Sequence, residues 1–224
     1  MVRTLVISDE VPPELTKAVL RDLGAELVLS AGDLPWDYVE WVGDTVAAPV
    51  VFVPGNHDPE TRPRRDQRLR FEDSPPGPRG VIDADRQVVE VEGLRIAGLG
   101  GCVRYRKGPH QYSQREFARQ AARLVRAARR RGPVDVLLTH APPFHLGDED
   151  DQAHIGIEAL HTVLEKLEPT WLLHGHVHPF GRSMPDRHVG PTTVRNVVPW
   201  RMLEITPRSS GATHATSTVA GGTS

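Results

Sequence analysis

Five short polar clusters carry the residues able to do chemistry: Ser8-Asp9-Glu10, Gly32-Asp33, Gly55-Asn56-His57-Asp58, Thr139-His140 and His174-Gly175-His176-Val177-His178. Asp, Asn and His are oxygen and nitrogen ligands of intermediate hardness, suited to Mn²⁺, Fe or Zn²⁺ and poorly suited to Cu(I) or iron–sulfur clusters. A pair of such ions ~3.5–4 Å apart needs a bridging ligand, usually a carboxylate. It can hold a phosphate ester and turn a shared water into hydroxide near neutral pH. In-line attack then needs an acid or a cation at the phosphoryl oxygens or the leaving group. The clusters therefore point to a metal site.

Each cluster directly follows a short apolar run: Leu5-Val6-Ile7, Leu27-Val28-Leu29, Val50-Val51-Phe52-Val53, Val136-Leu137-Leu138 and Trp171-Leu172-Leu173. Runs this short, many of them rich in β-branched residues, read as buried strands. Open α/β sheets collect their sites at strand ends. Residues 3–8, 25–29 and 50–53 are predicted strands, separated by helices from Pro13 to Asp22 and from Leu34 to Val46, so the first third reads as a parallel βαβαβ unit. Residues 59–80 read as a long surface loop. Residues 87–91 and 94–99 flank Glu92-Gly93 as a hairpin. Ser113 and Glu116 form a capping box for a helix to about Arg131, which Gly132-Pro133 ends. Strand 134–138, a helix from about Ile157 to Leu167 and strand 170–173 follow. Residues 192–197 and 201–205 read as a closing antiparallel pair around Pro199-Trp200. The fold class is α/β, a four-layer αββα sandwich of two mixed β-sheets flanked by helices.

At 224 residues and 38% hydrophobic content, one domain is the default. Residues 1–206 are assigned to it, and 207–224 to a disordered tail of Ser, Thr, Gly and Ala with almost nothing to bury. A net charge of −2 gives no general pull toward nucleic acid or membrane surfaces. The arginines at 62–70, 104–106 and 123–131 read mainly as solvated loop and helix faces. A single cysteine, Cys102, excludes an intrachain disulfide. With no signal-type start and no long apolar run, a reducing, cytoplasmic location is expected.

The order D-x-H, GD, GNHD, H, GHxH is the pattern of calcineurin-like metallophosphoesterases, and the chain resembles that family through Gly32-Asp33, Gly55 to Asp58, His140 and Gly175 to His178. The resemblance implies a metal-dependent phosphoric ester hydrolase, a phosphatase or phosphodiesterase, using divalent ions, Mn or Fe with Zn as a further option. It implies that Asp33 bridges two ions. Asn56, His140 and His176 would complete the second site, and Asp9 and His178 would belong to the first. His57 would assist attack by a metal-bound hydroxide, contacting the phosphoryl oxygens or protonating the leaving oxygen, with Asp58 holding its ring.

The chain departs from the family at Val11, where the first motif would place His. An isopropyl group coordinates nothing. Water or Glu10 fills the gap, or the first ion binds weakly, or one tightly held ion suffices. A weak first site rescued by water is the preferred expectation, since three protein ligands still resemble an open catalytic site. Glu10 would point away on a regular strand, although the following loop could turn it inward. Arg104 is a candidate to bind a second phosphate oxygen, Tyr105 or Tyr112 to stack on a base, and His154 to approach the site. The expected partner is a small phosphoester or nucleotide; nucleic acid and membrane are not expected. The rival reading is a catalytically weak, metal-dependent nucleotide- or phosphate-binding protein. A nuclease would need a basic track beside the site.

Overall fold

The apolar runs form parallel strands whose C-terminal ends share one edge of the molecule. In a computed structural model, which describes residues 1–61 and 77–208, they build two sheets. The first has the order β13 (Trp200–Ile205), β1 (Val2–Ile7), β2 (Leu27–Ser30), β3 (Val50–Phe52) and β4 (Ile82–Asp83). The second has the order β11 (Arg187–Val189), β12 (Thr192–Asn196), β10 (Trp171–His174), β9 (Val136–Thr139), β6 (Leu94–Leu99) and β5 (Val88–Val91). β1 to β4 run parallel, as do β6, β9, β10 and β12, while β13, β5 and β11 are antiparallel additions at the edges. A two-stranded element of β7 (Cys102–Val103) and β8 (Gln111–Tyr112) stands apart.

Burial sorts the layers. Val6, Leu29, Val51, Leu138 and Leu173 belong to one buried cluster, the filling between the sheets. The alternate residues Leu5, Ile7 and Val28 pack with α1 (Lys17–Leu23) and α2 (Trp36–Val46) through Leu20, Val39 and Val42. On the other side Leu137 and Leu172 pack with α3 (Gln114–Arg129) and α4 (Ala159–Leu167) through Phe117, Leu124 and Leu160. Strand side chains alternate between faces, so each parallel strand feeds two cores at once. The result is the expected four-layer αββα sandwich.

Ser113 caps α3 as its sequence indicates: its Oγ accepts from the Glu116 backbone N–H, and the Glu116 carboxylate accepts from the Ser113 N–H at 2.8 Å. The arginines of this helix from 123 to 131 that lie on its outer face are exposed. α1 starts at Lys17, not Pro13, because Thr16 caps it and Leu15 is buried in the preceding turn. The expected pairing of 192–197 with 201–205 does not occur. β12 lies beside β10 in one sheet and β13 beside β1 in the other. Val197 and Val198 between them are buried, so the connection crosses from sheet to sheet instead of turning in solvent. The arginines at 62–70, the centre of loop 59–80 and all of the 207–224 tail except its first two residues lie outside the described residues. No helix among the described residues is long and apolar enough to cross a membrane.

Phe117 is fully buried, and Tyr112 meets its ring edge-on at 5.3 Å between centroids. Phe117→Ala should lower the unfolding free energy by about 3–5 kcal/mol in urea titrations. Ser113→Ala, which removes the cap, should cost only about 1 kcal/mol.

Candidate metal centre

The loops after β1, β2 and β3 meet those after β9 and β10 at the seam between the sheets. Asp9, Asp33 and His176 all adopt left-handed backbone conformations, with φ of 63°, 58° and 69°. Non-glycine residues rarely do so, and such strain gathers at functional sites. The glycines of the motifs are needed for close approach. A Cβ on Gly55 would lie 2.1 Å from Asp33 Oδ1, and one on Gly175 would lie 2.2 Å from Asp9 Oδ2. Backbone passes where a side chain would collide with the carboxylates.

The inner part of the site gathers around His140, which is fully buried. Its Nδ1 donates to the Ala31 carbonyl at 2.8 Å, so Nε2 faces Asn56 Oδ1 at 3.0 Å and Asp33 Oδ2 at 3.3 Å. Asn56 Nδ2 donates to Tyr105 Oη at 3.4 Å, which leaves its Oδ1 for the centre. His176 gives Nε2–H to the Ala153 carbonyl at 2.9 Å and keeps the Nδ1 lone pair. Ligand atoms of Asp33, His140 and His176 lie within 4.8 Å of one another. Burial pulls His140 down, but the Asp33 and Asp9 carboxylates outweigh it and hold the imidazole at about 9. Burial would lift Asp33, yet His140 and the His57 N–H bring it to about 2. Burial next to His140 drops His176 to about 3. Lone pairs converge here and demand a positive charge between them, from a proton or from a cation.

The outer part holds Asp9, His178 and Glu10. Asp9 Oδ2 accepts from Ser8 Oγ at 2.5 Å and from the His176 N–H at 2.9 Å, while Oδ1 lies 3.9 Å from His178 Nε2. Burial, followed by the Asp33 charge among the raising effects, pushes the Asp9 carboxyl up. The left-handed turn at Asp9 swings Glu10 back, so that Glu10 Oε1 accepts from His178 Nδ1 at 2.7 Å. Glu10 thus orients the ring that presents Nε2 to Asp9, the carboxylate–histidine arrangement found behind many metal ligands. Val11 is 49% exposed and turned to solvent.

His57 stands exposed at the rim, and its backbone N–H donates to Asp33 Oδ1 at 2.7 Å. Asp58 does not hold the His57 ring. Its Oδ2 accepts from the backbone N–H groups of Asp33, at 3.0 Å, and Gly55, at 2.7 Å, clamping two motif loops together. Of the loop between β7 and β8, Tyr105 reaches Asn56, and Arg106 Nη2 comes to 3.4 Å from His57 Nδ1. Arg106 escaped the sequence reading, which favoured Arg104 as nearer the strand end. Arg104 instead pairs with Glu116 at 2.9 Å, and Tyr112 packs on Phe117, so the structure does not bring these two to the ligand group. His154 is bound to Asp151 at 2.7 Å and lies 5.2 Å from the His176 ring, beside the centre. His174, at the end of β10, is buried with its Nδ1 on the Gly175 carbonyl.

The sequence profile of the calcineurin-like phosphoesterases matches residues 3–180. The chain belongs to that family. Members of the phosphoesterase family are generally metal-dependent hydrolases that bind divalent ions. Among curated proteins none matches this sequence. TT1561 of Thermus thermophilus superposes with a TM-score of 0.57 at 16% identity, covering 87% of this chain and 88% of its own. Another crystal structure does so with a TM-score of 0.60 at 14% identity, over 93% and 99% of the two chains. A single mutant of Vps29 from Entamoeba histolytica gives only 0.41 at 17% identity, over 87% and 73%. At these identities the likeness is one of fold.

The donor set suits the divalent ions of the phosphoesterase family. It combines carboxylate and amide oxygens with imidazole nitrogens, backbone carbonyls fix the tautomers of His140 and His176 while Glu10 holds His178, and no thiolate takes part. An ion that takes the His140 Nε2 lone pair must displace its proton. Apparent Mn²⁺ affinity should therefore fall about tenfold per pH unit below pH about 9. Calorimetry in two buffers of different ionisation enthalpy should count close to one proton released per ion near neutral pH. No release would remove His140 from the ligands.

Proposed function

We propose that this protein is a metal-dependent phosphoesterase acting on a small phosphomonoester or phosphodiester, with Mn²⁺ or Fe as the working ion and Zn²⁺ as a further option. One observation carries the reading: an exposed histidine, His57, and an arginine, Arg106, flank a buried group of metal-ligand side chains without belonging to it. A site built only to hold an ion has no use for either. Asp33, Asn56, His140 and His176 would hold one ion. Asp9, Asp33 and His178 would hold another, with Glu10 orienting His178. Bound ions would supply Lewis-acid charge and water activation.

The remaining work falls to the chain. Arg106 places a permanent cation where phosphoryl oxygens would arrive, and its fork geometry suits them. His57 sits within reach of the same oxygens and of a leaving oxygen, to which it would give a proton. Because Arg106 faces Nδ1, the Nε2–H remains the donor available to substrate. Asp58 acts through the backbone: by clamping Asp33 and Gly55 it fixes the loops from which His57 projects.

Hydrolysis of chromogenic phosphomonoesters and diesters with added Mn²⁺ should be measurable. His57→Ala should lower kcat by about 10²–10⁴-fold with ion binding retained. Arg106→Ala should act mainly on KM. Absence of turnover with every divalent ion, while phosphate still binds, would favour a weakly catalytic phosphate- or nucleotide-binding protein instead. Calorimetric titration should resolve a tighter and a weaker Mn²⁺ step. Glu10→Ala should weaken the weaker step, at Asp9 and His178, by about 10–100-fold, and Val11→His should strengthen it. Isotherms unchanged by both substitutions would dissociate position 10 and position 11 from the metal.

A further inference from the structure

Beside the ligand group the strand-end loops leave a cleft of about 470 Å³, walled by residues 33–37 on one side and 57–59 on the other. That volume lies within the ~300–1,000 Å³ usual for small-molecule sites. Asp33 and His57 make it continuous with the proposed metal centre, but the rest of its lining, alongside Leu34, Asp37 and Asp58, brings in the ring residues Pro35, Trp36 and Pro59. These walls are stiff. The Asp58 carboxylate clamps the two loops, the Pro59 carbonyl accepts from His110 Nε2 at 2.8 Å, and Trp36 opens α2. The indole Nε1 of Trp36 is buried and makes no hydrogen bond among the described residues, so packing alone holds the ring.

We propose that this cleft receives the leaving group, and that the substrate class is nucleotide esters whose base stacks against Trp36. The inference rests on the phosphoesterase reading. In an in-line displacement the leaving group departs opposite the attacking oxygen. The ligand atoms are buried and His57 is exposed, so departure runs over His57 and into the cleft. A water oxygen bonds to phosphorus, the bond from phosphorus to the nucleoside oxygen breaks, and His57 gives that oxygen its proton. The water's own proton restores the histidine. A flat base matches the ring residues of this lining, and aromatic stacking tolerates any base identity. The exposed Asp37 at the cleft adds a carboxylate for the amino and hydroxyl donors of a nucleoside.

The test compares adenosine 5′-monophosphate with ribose 5-phosphate, and the methyl diesters of both with the adenosine or ribose released as the product counted, since each pair offers the same ester bonds and differs only in the base. With Mn²⁺ present, kcat/KM should favour the base-bearing ester by about tenfold or more. In Trp36→Ala the ratio should fall toward one, and Trp36→Phe should keep most of it. Because the ratio is taken within one preparation, partial misfolding does not move it. A second arm needs no turnover. Adenosine should shift the Trp36 indole N–H resonance, assigned by its loss in Trp36→Phe, in a saturable way, and ribose should not. A ratio near one in the wild type together with an unmoved Trp36 would overturn the cleft assignment. Adenosine binding with none of the four esters hydrolysed would sink the phosphoesterase reading and keep the cleft as a nucleoside site.

Discussion

Much of the architecture answers to one requirement, the burial of the Asp33 carboxylate against His140. A carboxylate taken from water is costly unless charge and hydrogen bonds replace the solvent. Here the imidazole lies 3.3 Å from one oxygen, and the His57 N–H lies 2.7 Å from the other. The two partners come from different sheets, since Asp33 follows β2 and His140 follows β9. They meet only if Leu29 and Val51 of one sheet pack correctly against Leu138 and Leu173 of the other. Core packing and site geometry are in this sense a single property, because the buried residues stand within a few positions of the ligands.

That requirement also explains the strained backbone. Left-handed conformations at Asp9, Asp33 and His176 cost on the order of 1–3 kcal/mol each. They persist because the loops hold one another. The Asp9 N–H donates to the Gly32 carbonyl at 3.1 Å, the Gly175 N–H to the His140 carbonyl at 2.9 Å, and the His176 N–H to the Asp9 carboxylate. Each motif is thus locked by a bond to another motif. A carboxylate such as Asp58 serves this lattice without touching the chemistry, and for that reason its side chain points at backbone and not at His57.

What could be read from sequence was whatever local rules decide. Apolar runs bounded by polar clusters gave the parallel strands, Ser113 and Glu116 gave the start of α3, and the order of the motifs gave the family. Features settled by distant contacts were hidden. Residues 192–196 and 200–205 alternate as strands should, but nothing in that alternation says that they join different sheets. The direction of Glu10 depends on a left-handed residue before it, which strand periodicity cannot supply. Arg104 and Arg106 are equally basic and stand two residues apart in the loop after β7. Only the fold of the β7–β8 loop sends Arg104 to Glu116 and Arg106 to His57.

The centre has two unequal halves. His140, Asn56 and His176 are buried and anchored by backbone carbonyls or by Tyr105, so their donor atoms have one arrangement. His178 is 32% exposed and held by Glu10, itself 47% exposed, so its geometry is softer and open to water. Rigid, dry ligands favour tight retention of an ion, whereas a solvated pair allows exchange and leaves room for a reacting oxygen. The substitution of a histidine by Val11 falls in the soft half, where water and Glu10 can compensate. The same loss at position 140 would leave Asp33 buried without a counter-charge. His57 and Arg106 are exposed at the rim and lie outside both halves, so neither depends on them for a donor atom.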